Sequence, residues 1–263
     1  MPSNTPLLIE RDRGVLTLSI NDAPINRMSL EYMDALEEEV GRAAEDPEVR
    51  VLVFTGAGDV NFSVGMDLKQ LAVGARDRGG VEVVLDQRLR VLAAIESMAK
   101  PSISTLFGYC LGGGLELPLA CHFRLAAEEG AKIGLPELDL GTVPAWGGTA
   151  RLTRCVGRDQ ALDMILRARK IDGLHALRIG LVHEVHPLAE LKAAAHDLAL
   201  ELAAMPPVAV SGVLDCVVGA GDVQLDEALV VERAAAMRCA RTKDQAEGMK
   251  AFLEKRRPVF TGE

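Results

Sequence analysis

Residues 15–20, VLTLSI, alternate apolar and polar positions, which predicts a strand with one buried face. After the loop NDAPINRMS, Ser29 is placed to cap a helix from about Leu30 to Glu45, where apolar residues recur at helical spacing and acids gather mid-segment. RVLVFT, residues 50–55, is mostly apolar and reads as a second strand, ended by GAGD. A further helix fits Val81 to Ser97, and Pro101 opens another strand, SISTLF. Glycines at 108, 112, 113 and 114 then break the chain before a short apolar helix that carries Glu116, and His122 to Ala127 reads as strand again.

Strands and helices alternate through this half, which favours an α/β layered domain. From about Ala161 helical patterns dominate, among them DQALDMILRA, LAELKAAAHDLALELAAM and LDEALVVERAAAMRCA. There is no fixed-period repeat and no low-complexity linker, so the boundary is compositional: a core over 1–200 and a helical region over 201–263.

Composition narrows the class. A chain of 263 residues, 49% hydrophobic, can bury a full core as one large domain, and 3% aromatics make that core aliphatic and alanine-rich. The net charge of −9 argues against a general nucleic-acid binder, although a local basic patch could still hold a polyanion. Five cysteines, an odd count with no CxxC pair, point to a reducing compartment. Met1 to Glu10 lacks a leader pattern, and no stretch approaches the ~20 uninterrupted apolar residues that span a bilayer. The expectation is a soluble, cytoplasmic protein with neither a membrane nor a nucleic-acid partner.

Three segments could carry chemistry. In GYCLGGGLELPLACH the glycines let a ligand lie against the backbone, and the amides opening the helix, at Gly113 or Gly114, can donate to a developing oxyanion. Glu116 follows among leucines, where an unpaired carboxylate is costly; a first-turn cap is the plain alternative, and tight packing is the plain reading of the glycines. NFSVGMDLKQL offers a second amide, at Met66, with Asp67 starting a helix. LPELDLGTVPAWGGTARL puts Glu137 in a loop after Pro136, with Asp139 two residues on; a lone loop glutamate is ordinarily solvated.

Their co-occurrence changes the reading. The segments above, together with ALRIGLVHEV and EGMKAFLEKRRPVF, resemble the crotonase superfamily, the enoyl-CoA hydratase/isomerase fold, over residues 15 to 260. The resemblance implies a spiral of ββα units with a helical C-terminal trimerisation region, assembled as a homotrimer or a hexamer built from two trimers. It implies a coenzyme A thioester substrate with no separate cofactor, the carbonyl held by the amides of Met66 and Gly113. It also implies two acting glutamates, Glu116 to orient and activate water and Glu137 as the acid at the α-carbon. Val64, Asp67, Leu68 and Lys69 are then substrate-binding candidates, and Trp146 a wall of the acyl pocket.

Possession of both acids favours a hydratase over a double-bond isomerase, which commonly keeps a functional glutamate only at the Glu137 position. Gly148 stands where the dehalogenase branch has its aspartate. Decarboxylases, thioester hydrolases and a non-catalytic CoA- or RNA-binding scaffold stay as alternatives. The chain departs from the common pattern at Trp146, at His122, where aspartate is usual and a structural role is expected, and by one extra residue between the two glutamates. Lys69, Lys255, Arg256 and Arg257 are candidates to face the CoA phosphates. His183 and His186 are not read as metal ligands, Ser63 lacks a nucleophile elbow, and Gly56 and Gly58 lack the third glycine of a dinucleotide fingerprint.

Overall fold

The computed structural model describes residues 5–220 and 223–263, so residues 1–4 of the N-terminal stretch read above for a leader lie outside it. The first half runs β1 (Leu7–Asp12), β2 (Val15–Ile20), β3 (Arg27–Met28), α1 (Leu30–Glu45), β4 (Val51–Gly56), β5 (Gly65–Met66), α2 (Leu68–Gly74) and α3 (Val81–Glu96). It continues with β6 (Ser102–Leu106), β7 (Tyr109–Leu111), α4 (Gly113–Ala120), β8 (Phe123–Ala127) and β9 (Lys132–Gly134). There follow α5 (Gly148–Val156), α6 (Arg158–Leu166), α7 (Gly173–Arg178), β10 (Glu184–His186) and α8 (Leu188–Ala203). The chain ends in α9 (Pro207–Gly219), α10 (Leu225–Cys239) and α11 (Lys243–Glu254).

Strand order in the main sheet is β1-β2-β4-β6-β8-β10. Only β1 is antiparallel; the other strands advance one place per turn of the chain and pair parallel. Parallel strands are covered on both faces, and β4 and β6 are accordingly buried at every position. Between main-sheet strands the chain adds a short strand and then helix, so β3 pairs with β5 and β7 with β9 as a second, smaller layer. This is the α/β spiral of ββα turns.

Local chemistry sets the ends of these elements. Ser29 caps α1 by accepting from the Tyr32 N–H at 3.0 Å, and Asp67 caps α2 by accepting from Lys69 and Gln70 N–H, both at 3.1 Å. Helix α8 lies across β4, β6 and β8, burying Leu191, Ala195 and Ala199, whereas α9 and α10 pack chiefly on each other. No single helix among the described residues is long and apolar enough to cross a membrane.

Candidate active site

Backbone hydrogen bonds stitch the two glycine-bearing loops together. Phe62 N–H donates to the Phe107 carbonyl at 2.8 Å, Ser63 N–H to Tyr109 at 2.9 Å, and Leu111 N–H returns to Ser63 at 3.1 Å. Gly112 N–H reaches Gly134 in β9 at 3.1 Å, which fixes the third loop to the same place. The glycines make this proximity possible. At Gly65, in the left-handed region at φ +91°, a Cβ would stand 2.7 Å from the Leu111 carbonyl and 3.2 Å from the Gly113 nitrogen. At Gly114 a Cβ would meet the Ser63 carbonyl at 2.4 Å, and at Gly113 the Trp146 ring at 2.4 Å. Tight packing is therefore a real duty of the triplet, and it brings the Met66 and Gly113 loops side by side. The amides of Gly113 and Gly114 lie ahead of the α4 ladder, which starts with Leu115 and Glu116 donating to Gly112 at 2.7 and 2.9 Å.

Every residue of α4 is buried, Glu116 included at 2% exposure. Its Oε1 accepts from Trp146 N–H at 2.7 Å and Gly148 N–H at 2.9 Å, so the carboxyl occupies the mouth of α5, whose own cap residue is a glycine. Burial pushes its pKa up to about 7, opposed by those two amides and aided by the neighbouring Glu137 charge. Arg151 holds the PAWGG loop by donating to the Trp146 carbonyl at 2.9 Å while its other nitrogens grip Glu96 Oε2 at 3.0 and 2.7 Å.

Glu137 opens a single 3-10 turn, Glu137–Leu140, rather than lying in open loop. It is half-buried; Oε2 is wholly covered with no hydrogen-bond partner among the described residues, and Oε1 would lie 2.9 Å from a Cβ at Gly112. Burial raises its pKa above the usual carboxylate value.

Val64, Met66, Leu68, Gly113, Glu116, Glu137 and Trp146 all border one cavity of about 290 Å³. Asp67 and Lys69 do not: the Asp67 carboxyl caps α2 and faces Arg27 at 3.7 Å, and Lys69 is exposed. Arg256 is engaged by Glu247 and Glu254, and Lys255 is the left-handed cap of α11. His122 is a structural histidine: Nδ1 accepts from Ser102 N–H at 3.0 Å, leaving Nε2 to donate to the Glu96 carbonyl at 3.2 Å, and burial lowers its pKa. Sequence reasoning missed the wall supplied by Val81 and Leu85 of α3, and behind it the buried Arg88, which does not border the cavity but stands 5.7 Å from the Trp146 ring centroid. The signal was there, since Arg88 falls among Val84, Val91, Leu92 and Ile95 on the buried stripe of that helix.

Residues 10–263 match the sequence model of the enoyl-CoA hydratase/isomerase family. The chain is 35% identical over 253 residues to a probable enoyl-CoA hydratase of Bacillus subtilis, covering 96% of this chain and 97% of that one. It is 35% identical over 259 residues to a crotonyl-CoA hydratase of Syntrophomonas wolfei, covering 97% of each. It superposes on the crystal structure of an enoyl-CoA hydratase from Bacillus anthracis with a TM-score of 0.93 at 33% identity, over 98% of this chain and 100% of that one.

Proposed function

This chain belongs to the enoyl-CoA hydratase/isomerase family, and on that premise we propose that it adds water across the 2,3 double bond of an enoyl-CoA thioester. The observation that carries the reading is the shared cavity: both carboxyls border the space that Met66 and Gly113 also border.

The β-carbon of a 2-enoyl thioester becomes electrophilic only as charge flows to the thioester oxygen. The N–H groups of Met66 and Gly113 receive that charge, and loss of one such donor costs about 2.7–4 kcal/mol of barrier. Glu116, held through Oε1 by two amides, presents its other oxygen to a water. The water gives its proton to Glu116 and its hydroxyl to the β-carbon, and the π electrons move to the thioester oxygen. As the enolate collapses, the protonated Glu137 delivers hydrogen to the α-carbon. The proton on Glu116 then returns to Glu137. Two carboxyls in apolar surroundings share one proton readily, because burial raises both pKa values. Atoms and charge balance with water alone, so the reaction asks for no cofactor.

Val64, Leu68 and Trp146 shape the acyl pocket in this reading, while Asp67 serves as the cap of α2 and not as a substrate ligand. Homotrimers, or hexamers of two trimers, would cover the apolar side chains that α9–α11 expose, among them Val217, Val230, Phe252 and Leu253. Five free thiols suit a reducing compartment, and the cytoplasm is the proposed location. The test is incubation of the purified protein with crotonyl-CoA: loss of enone absorbance with formation of the 3-hydroxyacyl thioester is expected. No hydration, with interconversion of 2- and 3-enoyl thioesters instead, would replace this reading by the isomerase one.

A further inference from the structure

The main chain of Trp146 joins two side chains of opposite charge. Its N–H donates to Glu116 Oε1 at 2.7 Å, and its carbonyl accepts from Arg151 Nη1 at 2.9 Å. The two glycines that follow leave room for this arrangement. At Gly147, left-handed at φ +95°, a Cβ would stand 2.3 Å from Arg151 Nη1; at Gly148 it would stand 2.8 Å from Glu116 Oε1. Adjacent glycines admit a guanidinium to one and a carboxyl to the next, with a single stretch of backbone between them. Glu96, at the end of α3, holds the cation: Arg151 Nε and Nη2 both donate to its Oε2, at 3.0 and 2.7 Å. The Arg151 side chain is only 12% exposed, so water screens its charge incompletely.

The other ionisable groups around α4 and α5 have different duties. Arg124 of β8 is spent on the Leu181 and Cys121 carbonyls, at 2.7 and 2.6 Å. His122 accepts from the Ser102 N–H, and Arg88 lies behind the Trp146 ring. Tyr109 of β7 meets Lys132, and burial pushes the Cys110 and Cys121 thiols up, which keeps them neutral. On α6, Asp163 is engaged by Arg167 and Arg169, and Asp159 by Arg158; Arg154 of α5 is exposed. Burial, which raises the Glu116 pKa to about 7, is aided by the Glu137 charge, and Arg151 is the side chain that works against it.

We propose that Arg151 and Glu96 act together as positioning residues for hydration: the arginine fixes the loop N–H groups that hold Glu116 and keeps a positive charge beside it, and Glu96 tempers that charge. The inference rests on the hydratase reading, in which Glu116 must be ionised to take the proton of water. Loss of the cation makes ionisation harder and moves it to higher pH. Loss of the Glu96 charge leaves the cation unopposed and moves it to lower pH.

The pH dependence of kcat/KM for crotonyl-CoA, in wild type, Arg151→Met, Arg151→Lys and Glu96→Gln, tests this, because its ascending limb reports the base of the free enzyme. Arg151→Met should move that limb upward by on the order of one pH unit. Glu96→Gln, which keeps an oxygen for the guanidinium, should move it downward, and Arg151→Lys should stay near wild type. Limbs that do not move, with rates lowered equally at every pH, would mark the pair as a brace alone and overturn the inference. Movement of Arg151→Met and Glu96→Gln in the same direction would overturn it too. Should Arg151→Met fail to fold, the sign of the Glu96→Gln shift decides by itself. Hydration with unmoved limbs leaves the hydratase reading standing; no hydration by wild type at any pH overturns both.

Discussion

Glu116 sits where its ionised form is least welcome, and that has a consequence for stability. Its folded pKa, about 7, stands above the ordinary 4.5, so the native state binds the extra proton between those values and stability falls as pH rises through that window. A shift of that size corresponds to roughly 3 kcal/mol, present below pH 4.5 and lost above pH 7. Glu116→Gln keeps an oxygen for the Trp146 and Gly148 amides while removing the charge. It should therefore be more stable than wild type by about that amount at pH 8 and no more stable at pH 4.5; urea unfolding at the two pH values checks this, and parallel pH slopes would refute it. The position of Glu116 was legible in the sequence from its leucine neighbours. Its partners were not, because they are main-chain N–H groups from a loop thirty residues on, and backbone donors carry no residue signature. Glu137 in isolation read as a solvated loop acid; its covered Oε2 depends on a loop closure that local sequence does not encode.

At the scale of elements, α4 and its glycine triplet do most of the positioning. Gly113→Ala would thrust a methyl group into the Trp146 ring, a contact of 2.4 Å in the present geometry. Overpacking of this kind costs about 1–3 kcal/mol. Relieving that clash strains the loop whose Trp146 main-chain N–H holds Glu116, so the thermal unfolding midpoint and the hydration rate should fall together. Wild-type activity in a destabilised Gly113→Ala would detach the ring from the chemistry. Periodicity exposed α1, α3 and the strands β2, β4, β6 and β8 closely, because their apolar positions are dense, whereas β1, with one buried residue in six, was not read as a strand. It gave no sign of the paired short strands β3-β5 and β7-β9, two or three residues each, whose existence depends on long-range pairing. Arg88 was passed over for a related reason: a charge on the buried stripe of α3 looks like an interruption of the pattern until the tertiary structure shows what faces it.

For the whole molecule, the spiral carries three loops from distant sequence to one cavity, while the C-terminal helices leave an apolar surface uncovered. Phe252 and Leu253 are 79% and 75% exposed on α11, an arrangement that a second copy would relieve. The double variant Phe252→Glu/Leu253→Glu should lower the mass seen by light scattering relative to wild type; an unchanged assembly would assign those residues to another role. The charge balance and the α/β alternation were readable from composition and order alone, but assembly was not, since exposed apolar residues are recognised only once the fold says which are exposed. The central claim is that two carboxyls from separate loops act on one water. Its most direct measurement is kcat for crotonyl-CoA hydration by wild type, Glu116→Gln and Glu137→Gln. Each single variant should lose at least about a hundredfold, in keeping with general acid–base catalysis; near-wild-type hydration by either one would contradict the account.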